Sequence, residues 1–266
     1  MDTGMNQTGG NSNLIQLFGL NFTNATLNES VELIIRAATR EDKLMVVTPN
    51  VDHVIRLSKD EKLRAMYRRA AFTFPDGMPL VWFSRLLPAH FRLNQRVTGA
   101  DLVAILLKRC GQIGQSISVV GGEPGKEAEI LHRLREFFPG TEIRGVIAPP
   151  FGFEDDPAQT SAIIGQLNQW QADYLFVGVG FPKQEKFITD HWDELYFHTA
   201  MGIGAAVDLA LGYKKRAPRW MQSIGFEWFW RFLQEPGRLF SRYFVRDAGF
   251  IPLAWREFQK IRRQQK

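Results

Sequence analysis

Cysteine is almost missing from this chain. One residue, Cys110, stands among 266, which excludes an internal disulfide and is the usage expected in a reducing cytoplasm. Cys110 closes an apolar helical stretch, Leu102 to Leu107, and reads as a reduced thiol in or near the core rather than a nucleophile. Long apolar runs are missing too: no stretch of 18 or more exists, so any membrane contact has to be peripheral, through amphipathic segments. Metal-site spacing is absent. The five histidines, at 53, 90, 132, 191 and 198, form no His-Glu-x-x-His pattern, and no Asp-x-Asp closes a strand. Two nucleotide motifs are incomplete. Gly121-Gly122-Glu123-Pro124-Gly125-Lys126 would need Gly at Val120 and Ser or Thr at Glu127 to be a phosphate loop of the ATPase kind, and the Gly202-x-Gly204 turn departs from the dinucleotide fingerprint at Val207. ATP hydrolysis, a nicotinamide cofactor and metal chemistry therefore find little support, and no cofactor is expected. Four glycosylation sequons, at Asn6, Asn21, Asn24 and Asn28, have no basic segment and apolar core before them to act as a signal, and read as chance.

What the chain does have is a segregated charge. From Leu211 to Lys266 it carries 13 Lys and Arg against 4 Asp and Glu, together with four of the seven Trp, whereas the rest is mildly acidic at about −4. Cations alternate with aromatics in Arg219-Trp220, Trp228-Phe229-Trp230-Arg231 and Arg242-Tyr243-Phe244. That composition suits an anionic surface: a lipid headgroup layer first, nucleic acid as the rival.

The body reads as α/β. Residues 1–13, rich in Gly, Asn and Thr, read as a disordered leader. Six short apolar or β-branched runs follow, at residues 44–47, 71–74, 116–120, 142–147, 174–179 and 197–201. Amphipathic stretches at 30–40, 61–69, 101–109, 126–138 and 158–170 are long enough for crossover helices. The alternation predicts a doubly wound, mainly parallel, Rossmann-like sheet over residues 14–212, with three or four short helices over 213–266 as a C-terminal appendage. The expected strands end in turn-forming groups, Thr48-Pro49-Asn50, Pro75-Asp76-Gly77, Gly121-Gly122, Gly178 to Gly180 and Gly202 to Gly204. Such carboxyl ends are where open parallel sheets bind ligands.

Asp76 stands out among them. Between Pro75 and Gly77, after an apolar strand, its carboxylate is expected at the ligand edge in low-dielectric surroundings that raise it toward a useful general base; the competing reading is a helix cap before Met78. Thr48 and Asn50 offer a hydroxyl and an amide to a sugar, or cap the helix starting at Val51. Gln184, early in a helix opened by Pro182, can donate and accept toward a hydroxyl or a base edge.

The ordered strings Thr48-x-Asn50, Pro75-Asp76-Gly77, Arg96-x-x-Gly99-x-Asp101-Leu102, Gly121-Gly122 and Gly180-x-Pro182-Lys183-Gln184-Glu185 are followed by Arg216-Ala217-Pro218-x-Trp220, Glu227-Trp228-x-x-Arg231 and Glu235-Pro236-x-Arg238-x-x-x-Arg242. Together they resemble the WecG/TagA/CpsF glycosyltransferase family, from about Leu44 to Arg246. The resemblance implies a bacterial inverting transferase that moves a sugar from a UDP-sugar, of the UDP-glucose or UDP-N-acetylmannosamine type, to a polyprenyl-diphosphate-linked saccharide in surface polysaccharide assembly. It implies a peripheral enzyme on the cytoplasmic face of the inner membrane, without a metal and without nucleic acid as partner; a homo-oligomer stays open. Asp76 would be the general base, with Thr48 and Asn50 positioning substrate, Arg96 binding an anion or orienting the acceptor, and Gln184 contacting donor or acceptor. The appendage would fold over the site and bring some of Arg231, Arg238 and Arg242 to the phosphates. Pro79 departs from the family pattern, which carries Gly there in many members, and leaves the donor undecided. A non-catalytic binding module using the same sheet and tail is the rival reading.

Overall fold

A computed structural model describes residues 14–39, 43–223 and 225–264; the expected leader lies outside the described residues. Among the described residues eight strands and thirteen α-helices follow in chain order. The strands are β1 (Leu14–Leu17), β2 (Leu20–Thr23), β3 (Leu44–Val47), β4 (Phe72–Thr73), β5 (Ser116–Gly121), β6 (Glu142–Ile147), β7 (Tyr174–Gly178) and β8 (Thr199–Gly202). The first nine helices are α1 (Leu27–Ala38), α2 (Val51–Lys59), α3 (Glu61–Arg68), α4 (Met78–Arg85), α5 (Gly99–Ile113), α6 (Glu127–Phe137), α7 (Pro157–Trp170), α8 (Lys183–Asp190) and α9 (Ala206–Ala210). The tail holds α10 (Arg219–Ser223), α11 (Glu227–Gln234), α12 (Pro236–Phe240) and α13 (Phe250–Gln264), with a wide π turn at Ser241–Arg246.

Strands β3 to β8 form one six-stranded sheet, parallel throughout, in the order β4-β3-β8-β7-β5-β6. Every residue of β3, β5 and β8 is buried, because both faces of the sheet are covered; β3 is therefore apolar throughout, while β5 and β8 carry the small polar residues Ser116, Ser118 and Thr199. One apolar cluster joins β1, β2, α2, α4, α7, α8 and α13 on one face. A second joins α1, α5, α6 and α9 on the other. Cys110 sits buried in α5, in that second cluster, where burial pushes its thiol up to about 12; it packs as a small apolar side chain.

The helix starts are written locally. Thr26 and Glu29 form a reciprocal capping box at α1, Asn50 and His53 another at α2, and Asp156 caps α7 through the N–H groups of Ala158 and Gln159. Two expectations need correction. The last strand begins at Thr199 rather than Phe197, since Phe197 points its ring at Trp192 in the core before the ladder starts. The strand-helix alternation is preceded by an antiparallel hairpin, β1 with β2, turning on Phe18 and Gly19 at φ 56° and 75°. Two consecutive positive φ values make the turn that matches strand twist. Phe18 tolerates it because its ring packs on Phe83 and Phe250 at 5.0 and 5.5 Å and its N–H donates to Glu257 Oε1 of α13 at 3.1 Å.

Candidate active site

The carboxyl ends of the sheet open into a cavity of about 1030 Å³. It forms there because β8 sends its helix, α9, to one face while its neighbours β3 and β7 send α2 and α8 to the other, leaving a crevice between them. Glycine makes the floor possible. A Cβ on Gly178 would lie 2.6 Å from Gly204 O, and one on Gly121 3.0 Å from the Gly178 carbonyl carbon, so the ends of β5, β7 and β8 close up backbone to backbone. The tail supplies the facing wall: Lys214, Lys215, Glu227, Trp228, Arg231 and Tyr243 all line the same cavity.

Asp76 lines the cavity from the body, in the loop between β4 and α4, half-buried. Its loop is tied down on both sides, with the Asp76 N–H donating to Pro49 O at 3.0 Å and the Val97 N–H to Pro75 O at 2.9 Å. The carboxylate does not cap α4. Gly77 occupies that position at φ 153°, with no side-chain cap. Desolvation pushes Asp76 up from its ordinary 3.8 to about 6; Arg96, Arg231 and the Gly99 N–H pull it down, and Glu227 pushes it further up. Gly99 is the first residue of α5, so Asp76 meets the positive end of a fifteen-residue helix. Close approach needs glycine there, because a Cβ on Gly99 would sit 3.0 Å from Thr48 Oγ1. Among the described residues no cation forms an ion pair with Asp76.

Arg96 instead donates from Nη1 to Glu227 Oε2 of α11 at 2.9 Å. Glu227 Oε1 in turn lies 3.7 Å from Arg216 Nε, and Arg216 Nη1 donates to Asp101 Oδ1 at 2.6 Å. Asp101 also accepts from Thr98 Oγ1 at 2.7 Å, and Thr98 caps α5. Burial alone would raise Asp101, but the hydrogen bonds from Arg216 and Thr98 outweigh it and hold the carboxyl below its usual range. Arg231 lines the cavity from the same helix, exposed and without an ion pair among the described residues. The side chains of Arg238 and Arg242 lie outside the described residues.

The remaining polar groups are brought to the same cavity. Thr48 is buried at its edge, and Asn50 lines it while its Oδ1 accepts the His53 N–H at 3.3 Å. Gln184 is buried at the floor: its Oε1 accepts the Gly204 N–H and its Nε2 donates to Glu185 Oε1, each at 3.0 Å. Glu185 Oε1 accepts as well from the Tyr67 hydroxyl at 3.0 Å, and burial pushes the Glu185 carboxyl above its usual range. Thus Asp76, Thr48, Asn50, Arg96, Gln184 and Arg231 converge. Glu185, Arg216 and Glu227 were not singled out from the sequence for any role, although each stands inside a string quoted above. Their signal was a motif position without a partner.

Among the described residues no group of three or more His, Cys, Asp or Glu could hold a metal ion, and no helix is long and apolar enough to cross a membrane. Compared with protein families, residues 15–265 match the family described as Glycosyl transferase WecG/TagA/CpsF family.

Proposed function

The chain belongs to the WecG/TagA/CpsF glycosyltransferase family, whose members serve surface polysaccharide biosynthesis, and from that premise we propose that it is an inverting transferase with Asp76 as its base. The donor is a UDP-sugar, of the UDP-glucose or UDP-N-acetylmannosamine type, and the acceptor a saccharide on polyprenyl diphosphate. Asp76 takes the proton of an acceptor hydroxyl. The oxygen attacks the anomeric carbon from the face opposite the diphosphate, the carbon–oxygen bond to the β-phosphate breaks, and its electron pair leaves with UDP. One displacement inverts the anomeric centre.

One observation carries this reading: the Asp76 carboxylate faces a large cavity at the sheet's ligand edge, held near 6 by desolvation. A base of that strength is ionised at neutral pH yet still basic enough to accept a proton in the transition state. The leaving diphosphate gains charge, and fixed cations stabilise it far better in a water-poor site than in bulk. Arg231, at the cavity wall and without an ion pair among the described residues, suits that role, and Arg238 and Arg242 are assigned to it with Arg231. Thr48, Asn50 and Gln184 hold sugar hydroxyls or the nucleotide through short polar groups. Arg96 orients the acceptor side while paired to Glu227.

The tail, residues 213–266, completes the site and meets the cytoplasmic face of the inner membrane as a peripheral anchor. Support comes from its outward aromatics, Trp220 at 63% and Trp255 at 60% exposure, amid a run of cations each worth about 1 kcal/mol beside anionic lipid. The test is incubation with a panel of UDP-sugars and short-chain polyprenyl-diphosphate acceptors, with and without chelator. The reading expects a product heavier by one sugar, with inverted anomeric configuration and unchanged yield in chelator. Retained configuration would overturn the single displacement, and loss of product in chelator the metal-free site.

A further inference from the structure

Arg96 stands between two carboxylates, Asp76 and Glu227, and bonds only one of them. A guanidinium presents a rigid fork of donors that fits a carboxylate in paired, charge-assisted bonds. Given wholly to Asp76, it would hold that carboxylate ionised and leave a poor proton acceptor. Glu227 prevents this by taking the Arg96 Nη1 hydrogen bond at 2.9 Å. We infer that Glu227 is a positioning residue: it draws Arg96 off Asp76, so that a side chain of the tail sets how freely the base can accept a proton. This inference rests on the reading of Asp76 as the base of a transferase and adds to it what governs that base.

Glu227 is itself fixed by charge. Arg216, also from the tail, stands 3.7 Å from its other oxygen and is anchored to Asp101 of α5 at 2.6 Å. Asp101 is bonded to Thr98, the residue capping α5, and the first N–H of α5, that of Gly99, reaches back to Asp76. Alternating charges thus run from the base, through two tail residues, to the helix that the base rests on. The arrangement is largely shielded, with the Arg96 and Glu227 side chains 14% and 17% exposed, so it is weakly screened by salt. The groups that face Asp76 are Arg96 from the segment before α5, the Gly99 N–H of α5, and Glu227 and Arg231 of α11, with Arg216 beyond.

Two variants with opposite expected signs test this in the full-length chain: Glu227→Gln, which keeps the shape, and Arg96→Gln. The readouts are the pH profile of sugar transfer and a carbon-13 titration of Asp76, assigned with Asp76→Asn. Glu227→Gln is expected to move the acid limb and the Asp76 titration down by about one pH unit and to lower the plateau rate about tenfold, with the donor KM within about threefold. Glu227→Asp is expected to recover part of both. Arg96→Gln is expected to move the Asp76 titration up, which loosening of the fold would not do. An Asp76 titration and acid limb indifferent to Glu227→Gln would overturn the inference and leave the transferase standing. A wild-type protein that transfers no sugar, yet whose Asp76 answers to Glu227→Gln, would overturn the transferase reading and leave the electrostatic coupling standing.

Discussion

Asp76 combines two properties that a stability-optimised fold would avoid, a carboxylate in a desolvated wall and no ion pair among the described residues to compensate it. Its folded value, about 6, lies above its ordinary 3.8, so protonation favours the fold: the stability it contributes is complete below about pH 4 and is lost as pH rises through about 6. Replacing it with asparagine should therefore raise Tm at pH 7.5, corresponding to roughly 1–3 kcal/mol, with the difference vanishing near pH 4. Calorimetry at the two pH values checks this, and a variant less stable at pH 7.5 would show that the carboxylate is not strained there. The candidacy of Asp76 was legible because Pro, Asp and Gly follow an apolar strand. The desolvation that raises it was expected as well, but the charges around it were not. Glu227 and Arg96 lie 131 residues apart and Arg216 and Asp101 115 apart, and no local pattern announces an ion pair across such a separation.

At the scale of elements, the six parallel strands were readable because a strand buried on both faces is mostly apolar along its length, as β3 is throughout. The β1–β2 hairpin was hidden by its turn. Asparagine and glycine are the usual residues at two successive positive φ values, whereas here Phe18 takes the first, held by aromatic packing and by Glu257, 239 residues away. That bond ties α13 to the hairpin, and Glu257→Ala would leave the buried Phe18 N–H unpaired. A loss of about 2 kcal/mol is expected, measured as the shift in urea midpoint at constant m-value. A change below about 0.5 kcal/mol would mean the turn is held by the rings alone.

For the molecule as a whole, the sheet and the tail line one cavity. The body brings Asp76, Thr48, Asn50 and Gln184, and the tail brings Arg231 and Glu227 to the same cavity. Charge is segregated between them, a mildly acidic body and a basic tail. If the tail's outer face meets lipid, pelleting with vesicles containing anionic phospholipid should fall steeply between 50 and 500 mM salt, roughly as expected for several surface cations. It should fall again for Trp220→Ser with Trp255→Ser, and salt-independent pelleting would point to insertion rather than surface attraction.

The most direct test of Asp76 as the base compares sugar transfer by Asp76→Asn with wild type, using the UDP-sugar and polyprenyl-diphosphate acceptor that the panel identifies, with UDP binding followed by calorimetry on the same samples. Loss of a general base costs on the order of 10²–10⁴ in rate, so transfer is predicted to fall by at least a hundredfold while the Kd for UDP stays within about threefold. Transfer within tenfold of wild type, with UDP bound equally well, would contradict it.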